Sequence, residues 1–264
     1  MSEFVSAATE ADFAGGYYRI ALVQGDTPGT LTDWLFTGDA GRYHAQDGVL
    51  VAVAANEPRI NSDGLLIERQ NTNLILYSSD RTNGNWAAVN ATIAANATNA
   101  PDGTATADTL RETVTNTTHL HLQTGPCIAA TTYTYSEYVK AAGRTKFRLL
   151  ENAGSGEAVT FDLVAKTASG VGSIEELADG WFRCSMPFRT GAAQTVWNCQ
   201  LRLRNNDGTE TYAGDGTSGV HVWGAQVEKG GVASSLIQTT NVIGSPGRSK
   251  LPAMPLETRI AVRS

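Results

Sequence analysis

The chain has 264 residues and a formal net charge of −6 at pH 7. That length can bury a core without covalent staples. The mild acidity and scattered Lys and Arg argue against a nucleic-acid groove, which needs clustered cations.

Three cysteines, Cys127, Cys184 and Cys199, without a CxxC pair exclude a zinc knuckle and a disulfide framework. Cys184 and Cys199 fall at core-facing positions of strand-like runs and read as buried free thiols of a protein made and assembled in the cytoplasm. No basic segment followed by an apolar run opens the chain, and no apolar stretch spans a bilayer. Neither secretion nor membrane insertion is therefore expected.

In chain order, residues 13–23 and 31–36 read as strands, followed by short strands near 49–54 and 65–67. From 71 to 241 the pattern is steady. Short runs rich in Thr, Val, Tyr, Phe and Leu alternate with Asp-Gly or Asn-Gly pairs, which tolerate the backbone of tight turns. Helical periodicity is missing. This predicts an all-β fold, an antiparallel sandwich or barrel that is steady over 71–241, preceded by a smaller β-rich region over 1–70. Residues 242–264 carry prolines that break a ladder and read as a strap, with one final strand at 256–262.

Alternation assigns two faces to each strand. Over 118–123, Leu120 and Leu122 are expected inside, with His119, His121 and Gln123 outside. Over 133–140, Tyr133, Tyr135 and Val139 point in, while Ser136, Tyr138 and Lys140 point out. Glu137 falls on the inward side, where a strand edge or a polar partner must account for it. Phe147 and Leu149 point in and Arg148 out; Val159, Phe161 and Leu163 point in and Asp162 out. Phe182, Cys184, Met186 and Phe188 oppose Trp181, Arg183 and Ser185. Trp197, Cys199, Leu201 and Leu203 oppose Asn198, Gln200, Arg202 and Arg204. In the last long run, Val220, Val222, Gly224 and Gln226 share one face and His221, Trp223, Ala225 and Val227 the other. This places Trp223 beside Trp197 between the sheets.

The outward set combines planar polar side chains with aromatic rings, the two means by which proteins hold sugars. The same pattern also fits an ordinary solvated sheet face. His119 and His121 share a strand face and could hold a metal, but the carboxylate such a site needs does not follow them. There is no HExxH, no nucleophile elbow and no P-loop, and Asp and Glu are too dispersed to name a glycosidase pair. No enzyme activity is expected.

The segments GLLIERQNTNLILY (64–77), NW (85–86), APDGTATADTL (100–110), YVKAAG (138–143), DGWFRCS (179–185) and YAGDGTSGVHVWGAQVE (212–228) follow one another in a familiar order. Together they resemble a family of bacteriophage virion proteins, tail or head fibres carrying a jelly-roll domain similar to carbohydrate-binding modules. The resemblance runs from about residue 47 to 241.

It implies a virion structural protein that displays a glycan-binding sandwich to the host surface. The implied partners are other virion proteins, a host-surface polysaccharide and two further copies in a homotrimer. Related modules hold a structural calcium near the first and last strands, for which Asp80 and Glu228 are the candidates; no other cofactor is implied. On this reading Tyr138, Lys140, Arg148, Arg183, Gln200, Arg202 and Gln226 share one outward face and contact the glycan. Two other readings fit the sequence: a purely architectural decoration protein, and a binding module cut from a polysaccharide-degrading enzyme.

Overall fold

The computed structural model describes residues 8–12, 17–21, 41–44, 48–54, 60–61, 64–68 and 71–243. The expected strand at 31–36 and the strap beyond 243 lie outside what is described. The described chain is all-β, and its only helical turn is a 3-10 turn at Ala178–Gly180.

Ahead of the sandwich, β1 (Ala8–Asp12), β2 (Tyr17–Ala21), β5 (Ile60–Asn61) and β6 (Gly64–Glu68) form one sheet in the order β1-β2-β6-β5. A hairpin joins β3 (Gly41–His44) to β4 (Leu50–Val53).

The sandwich has two six-stranded sheets. The first contains β7 (Ala87–Val89), β11 (Leu120–Pro126), β13 (Lys146–Glu151), β14 (Ala158–Asp162), β15 (Thr167–Ala168) and β18 (Val196–Arg204), in the order β15-β14-β13-β18-β11-β7. The second contains β8 (Ala91–Thr98), β9 (Ala107–Glu112), β12 (Thr132–Ala142), β16 (Ser173–Glu176), β17 (Trp181–Arg189) and β20 (Gly219–Lys229), in the order β16-β17-β12-β20-β9-β8. A minor pair, β10 (Asn116–Thr117) with β19 (Tyr212–Ala213), closes one end. Every strand pairing among the described residues is antiparallel.

The core between the sheets is the one the alternation predicts for β12, β13, β14, β17 and β18. Phe147, Leu149, Phe161, Trp197, Leu201 and Leu203 pack against Tyr133, Tyr135, Val139, Phe182, Met186 and Phe188. Gly125 pairs with Trp197, and a Cβ there would stand 2.3 Å from the indole, so only glycine fits beside that ring.

Two strands depart from the predicted phase. In β20 the register with β12 shifts between Ser136 and Tyr138, because Gly224 (φ +58°) inserts a bulge. Each bulged residue flips the faces that follow. Val220, Val222, Ala225 and Val227 therefore all line the inter-sheet core, while Trp223 and Gln226 point to the other side. Trp223 is buried, but not between the sheets. It belongs to a second core with Leu50, Ala100, Ala107, Tyr138, Leu177, Trp181 and Leu236, on the outer face of the second sheet.

In β11 the faces are reversed. Leu120 and Leu122 pair with Arg202 and Gln200 on the outer side, and His121 and Gln123 pair with Leu201 and Cys199 inside. His119, His121 and Gln123 are buried. Each has a partner that makes this tolerable. His121 stacks on Trp86 at 4.9 Å. Gln123 accepts from the Leu76 N–H at 2.8 Å and donates to its carbonyl at 2.9 Å, acting as a strand partner for that residue.

The inward Glu137 also finds its partner there. Its carboxylate accepts from the Tyr135 hydroxyl and faces the Arg81 guanidinium at 3.3 Å. Arg81 in turn lies over the Trp86 ring at 3.9 Å.

Candidate ligand-binding face

Register places the outer face of the first sheet in three rows. Leu122, Gln200, Leu150 and Ala158 form one; Leu120, Arg202, Arg148 and Thr160 form the next; Arg204, Lys146 and Asp162 form the third. An amide flanked by leucines thus sits beside a double row of cations. The strands put them there because each is inward-apolar, which sends the alternate positions to the outer side. The four cations are partly exposed there, but Gln200, expected to face solvent, is buried at 3% exposure, as are its neighbours Leu120 and Leu150.

Glu210, from the connection between β18 and β19, organises the cations. Its Oε2 accepts from Arg148 Nη1 at 2.8 Å and its Oε1 from Arg202 Nη1 at 2.8 Å; Arg204 Nη1 lies 3.5 Å away. Arg202 Nε donates to Gln200 Oε1, and Gln200 Nε2 donates to Asn198 Oδ1. The planar groups therefore form a hydrogen-bonded chain with fixed orientations. Burial pushes the Glu210 carboxyl up, but the bonds from Arg202 and Arg148 outweigh it and hold the group below the ordinary carboxylate range. Nothing in the strand alternation pointed to Glu210, since it lies outside any strand.

The seven predicted residues do not share one face. Arg148, Gln200 and Arg202 are on the first sheet; Tyr138, Lys140, Arg183 and Gln226 are on the second, whose outer side is the opposite side of the sandwich. There a segment near 234–239 covers them. Arg183 donates to the Ser234 carbonyl, and its guanidinium lies 5.4 Å from the Tyr138 ring. Gln226 accepts from the Ile237 N–H at 2.8 Å and donates to Glu228 at 2.7 Å. Tyr138 meets Trp223 edge-on at 5.7 Å. Three of these four are buried, and only Lys140 reaches solvent. Every described tryptophan is likewise buried, so none offers a stacking platform.

A separate cleft of about 670 Å³ is lined by Tyr77, Asp80, Asn96, Thr106, Asp108 and Gln238, among others. Its two carboxylates are engaged locally. Asp108 accepts from the Arg81 and Asn96 N–H groups at 2.7 and 2.8 Å, and Asp80 Oδ1 accepts from Thr82.

Both oxygens of Glu228 are taken by Ser234, Gln226 and Asn71, a donor set that does not fit a calcium ligand. Among the described residues no group of three or more His, Cys, Asp or Glu stands ready for a metal. His119 presents its two ring nitrogens to the Asn90 and Tyr212 carbonyls, and His121 is stacked inside, so they do not form the surface pair considered from sequence. No helix among the described residues is long and apolar enough to cross a membrane.

No protein-family model matches the chain, and no curated protein does. Among solved structures, the chain is similar to the enzymatically active domain of bacteriophage CBA120 tailspike protein 4. The TM-score is 0.40 at 9% identity, over 60% of this chain and 21% of that one. It is also similar to CBM22-1-GH10 modules of a Clostridium thermocellum endo-1,4-beta-D-xylanase complexed with xylohexaose. There the TM-score is 0.37 at 14% identity, over 62% of this chain and 28% of that one. The chain thus spans well under half the length of either, and likeness at these scores assigns no function.

Proposed function

We propose that this chain is a structural protein of a phage or phage-like particle that binds host-surface glycan on the outer face of its first sheet. One observation carries this reading. Arg148 and Arg202 stand opposite each other, both held by Glu210 and Arg202 also by the buried Gln200, on the sheet face that the 234–239 segment does not cover. Fixed planar guanidinium donors near the part-exposed Leu122 suit the hydroxyl-and-ring surface of a sugar. The resemblance of the chain's motifs to phage fibre proteins supports the setting. Residues 1–70 attach to other virion proteins, and three copies repeat a weak contact to gain avidity. The face binds without turnover.

A glycan array probed with the full chain tests the reading, alongside adsorption of particles carrying Arg148→Ala with Arg202→Ala. Binding to host glycans, lost in the double variant while the variant is still incorporated, supports it. A blank array with unchanged adsorption favours the architectural role instead.

A further inference from the structure

We infer that the glycan taken by this face is anionic, a polysaccharide bearing carboxylate or phosphate groups; the inference rests on the glycan-binding reading above. Two cross-strand pairs on β13 and β18 set like charge directly against like: Arg148 opposite Arg202, and Lys146 opposite Arg204. Such pairs destabilise a sheet unless an opposite charge lies between them. The chain supplies too few. Glu210 serves three arginines and Asp162 stands 3.3 Å from Lys146, so four cations face two carboxylates. Asp207 adds a third at the rim, where it also acts on Lys146, which leaves one cation in surplus. This surplus occurs on a chain whose net charge is −6.

The donors are also incompletely used. Glu210 takes Nη1 of Arg148 and Nη1 of Arg202, and Arg204 spends Nε on the Gly208 carbonyl and Nη1 on Thr160. The Nη2 of all three arginines and the Nε of Arg148 have no acceptor among the described residues. Arg148 and Lys146 are the most open of the four cations, at 31% and 28% side-chain exposure. Glu210 already shows what the arrangement accepts, an oxyanion held between guanidinium forks. A second oxyanion can enter from solvent on the Arg148 and Lys146 side. A neutral sugar leaves the surplus charge unmatched.

The test titrates the full chain with three probes: oligogalacturonate, a glycerol-phosphate polymer and dextran. Oligogalacturonate, the phosphate polymer or both should bind, with affinity falling as salt rises, while dextran does not; which one binds identifies the oxyanion. Lys146→Gln with Arg148→Gln should weaken that binding roughly tenfold, the scale of a lost charge-assisted contact. Arg148→Lys, which keeps charge but loses the fork, should recover part of it. Melting temperature reports that each variant is folded. Binding of dextran in preference to the charged probes overturns the anionic assignment and leaves the glycan reading standing. Binding of no probe overturns both. Charged-probe binding untouched by the Lys146 and Arg148 changes overturns the assignment to this face.

Discussion

Replacing Arg81 by Met should destabilise the protein, and by an amount that depends on pH. Arg81 is 2% exposed and Glu137 1%, and they face each other at 3.3 Å inside the sandwich. Burial raises the Glu137 carboxyl above its ordinary value of 4.5, and Arg81 opposes that rise. Removing the cation leaves an acid buried against Tyr135, and the expected cost at neutral pH is about 3–5 kcal/mol, the range for one partner lost from a buried pair. The contact between Arg81 and the Trp86 ring is lost as well.

Because the folded value of Glu137 lies above the unfolded one, the penalty is complete above the folded value. It disappears as pH falls towards 4.5, where both states carry the proton. Arg81→Met should therefore be worst at neutral pH and recover on mild acidification. Tyr135 also faces this group and His121 faces Arg81, so the pH effect must be isolated. Arg81→Met with Glu137→Gln removes the titrating acid and should flatten the difference. Urea denaturation at neutral and mildly acidic pH measures it. A cost independent of pH, or no rescue by Glu137→Gln, would refute a buried ion pair as the reason Glu137 points inward.

Gly125→Ala should cost about 1–3 kcal/mol by forcing a Cβ against Trp197, read as a lower urea midpoint; an unchanged midpoint would mean the indole can move aside. Trp197→Ala and Trp223→Ala should each cost about 3–5 kcal/mol although the rings lie in different layers, and thermal melts would show this. Burial, then the charge of Arg81, lowers His121 to about 3, so its contribution to stability is present above the ordinary value of 6.5 and lost as pH falls from there towards 3. His121→Gln should make the acid limb of the stability curve shallower; an identical limb would place the acid sensitivity elsewhere.

The inward faces of β13, β14, β17 and β18 were legible because apolar and polar residues alternate there without interruption. β11 was not, since its interior positions are His and Gln, and their partners Trp86, Arg81 and Leu76 come from a segment far away in sequence. Its leucines flank the polar face instead. β20 lost phase at Gly224, and a glycine inside a strand was the available signal for a bulge. Parity within a strand also cannot tell which sheet the strand joins. That is why Arg148 and Arg183 read as neighbours although they stand on opposite sides of the sandwich.

The buried outer face of the second sheet follows from its composition. Strands covered on both sides carry large residues at successive positions rather than alternating ones. Trp181 with Phe182, and Tyr138 with Val139, are such neighbours. The covering segment is held by polar contacts as well as by Leu236. The Asn73 amide donates to the Ala225 and Ile237 carbonyls, joining β20 to the cover, and Ser78 and Thr239 exchange bonds beside it. Arg183 and Gln226 belong to this fastening, so their planar groups are buried within the chain. The first sheet has the complementary character. Its outer residues bond mainly to one another and to one connecting carboxylate, which fixes their orientation while leaving donors directed outward. On the proposed reading this favours binding, because little side-chain freedom remains to be lost when a ligand arrives.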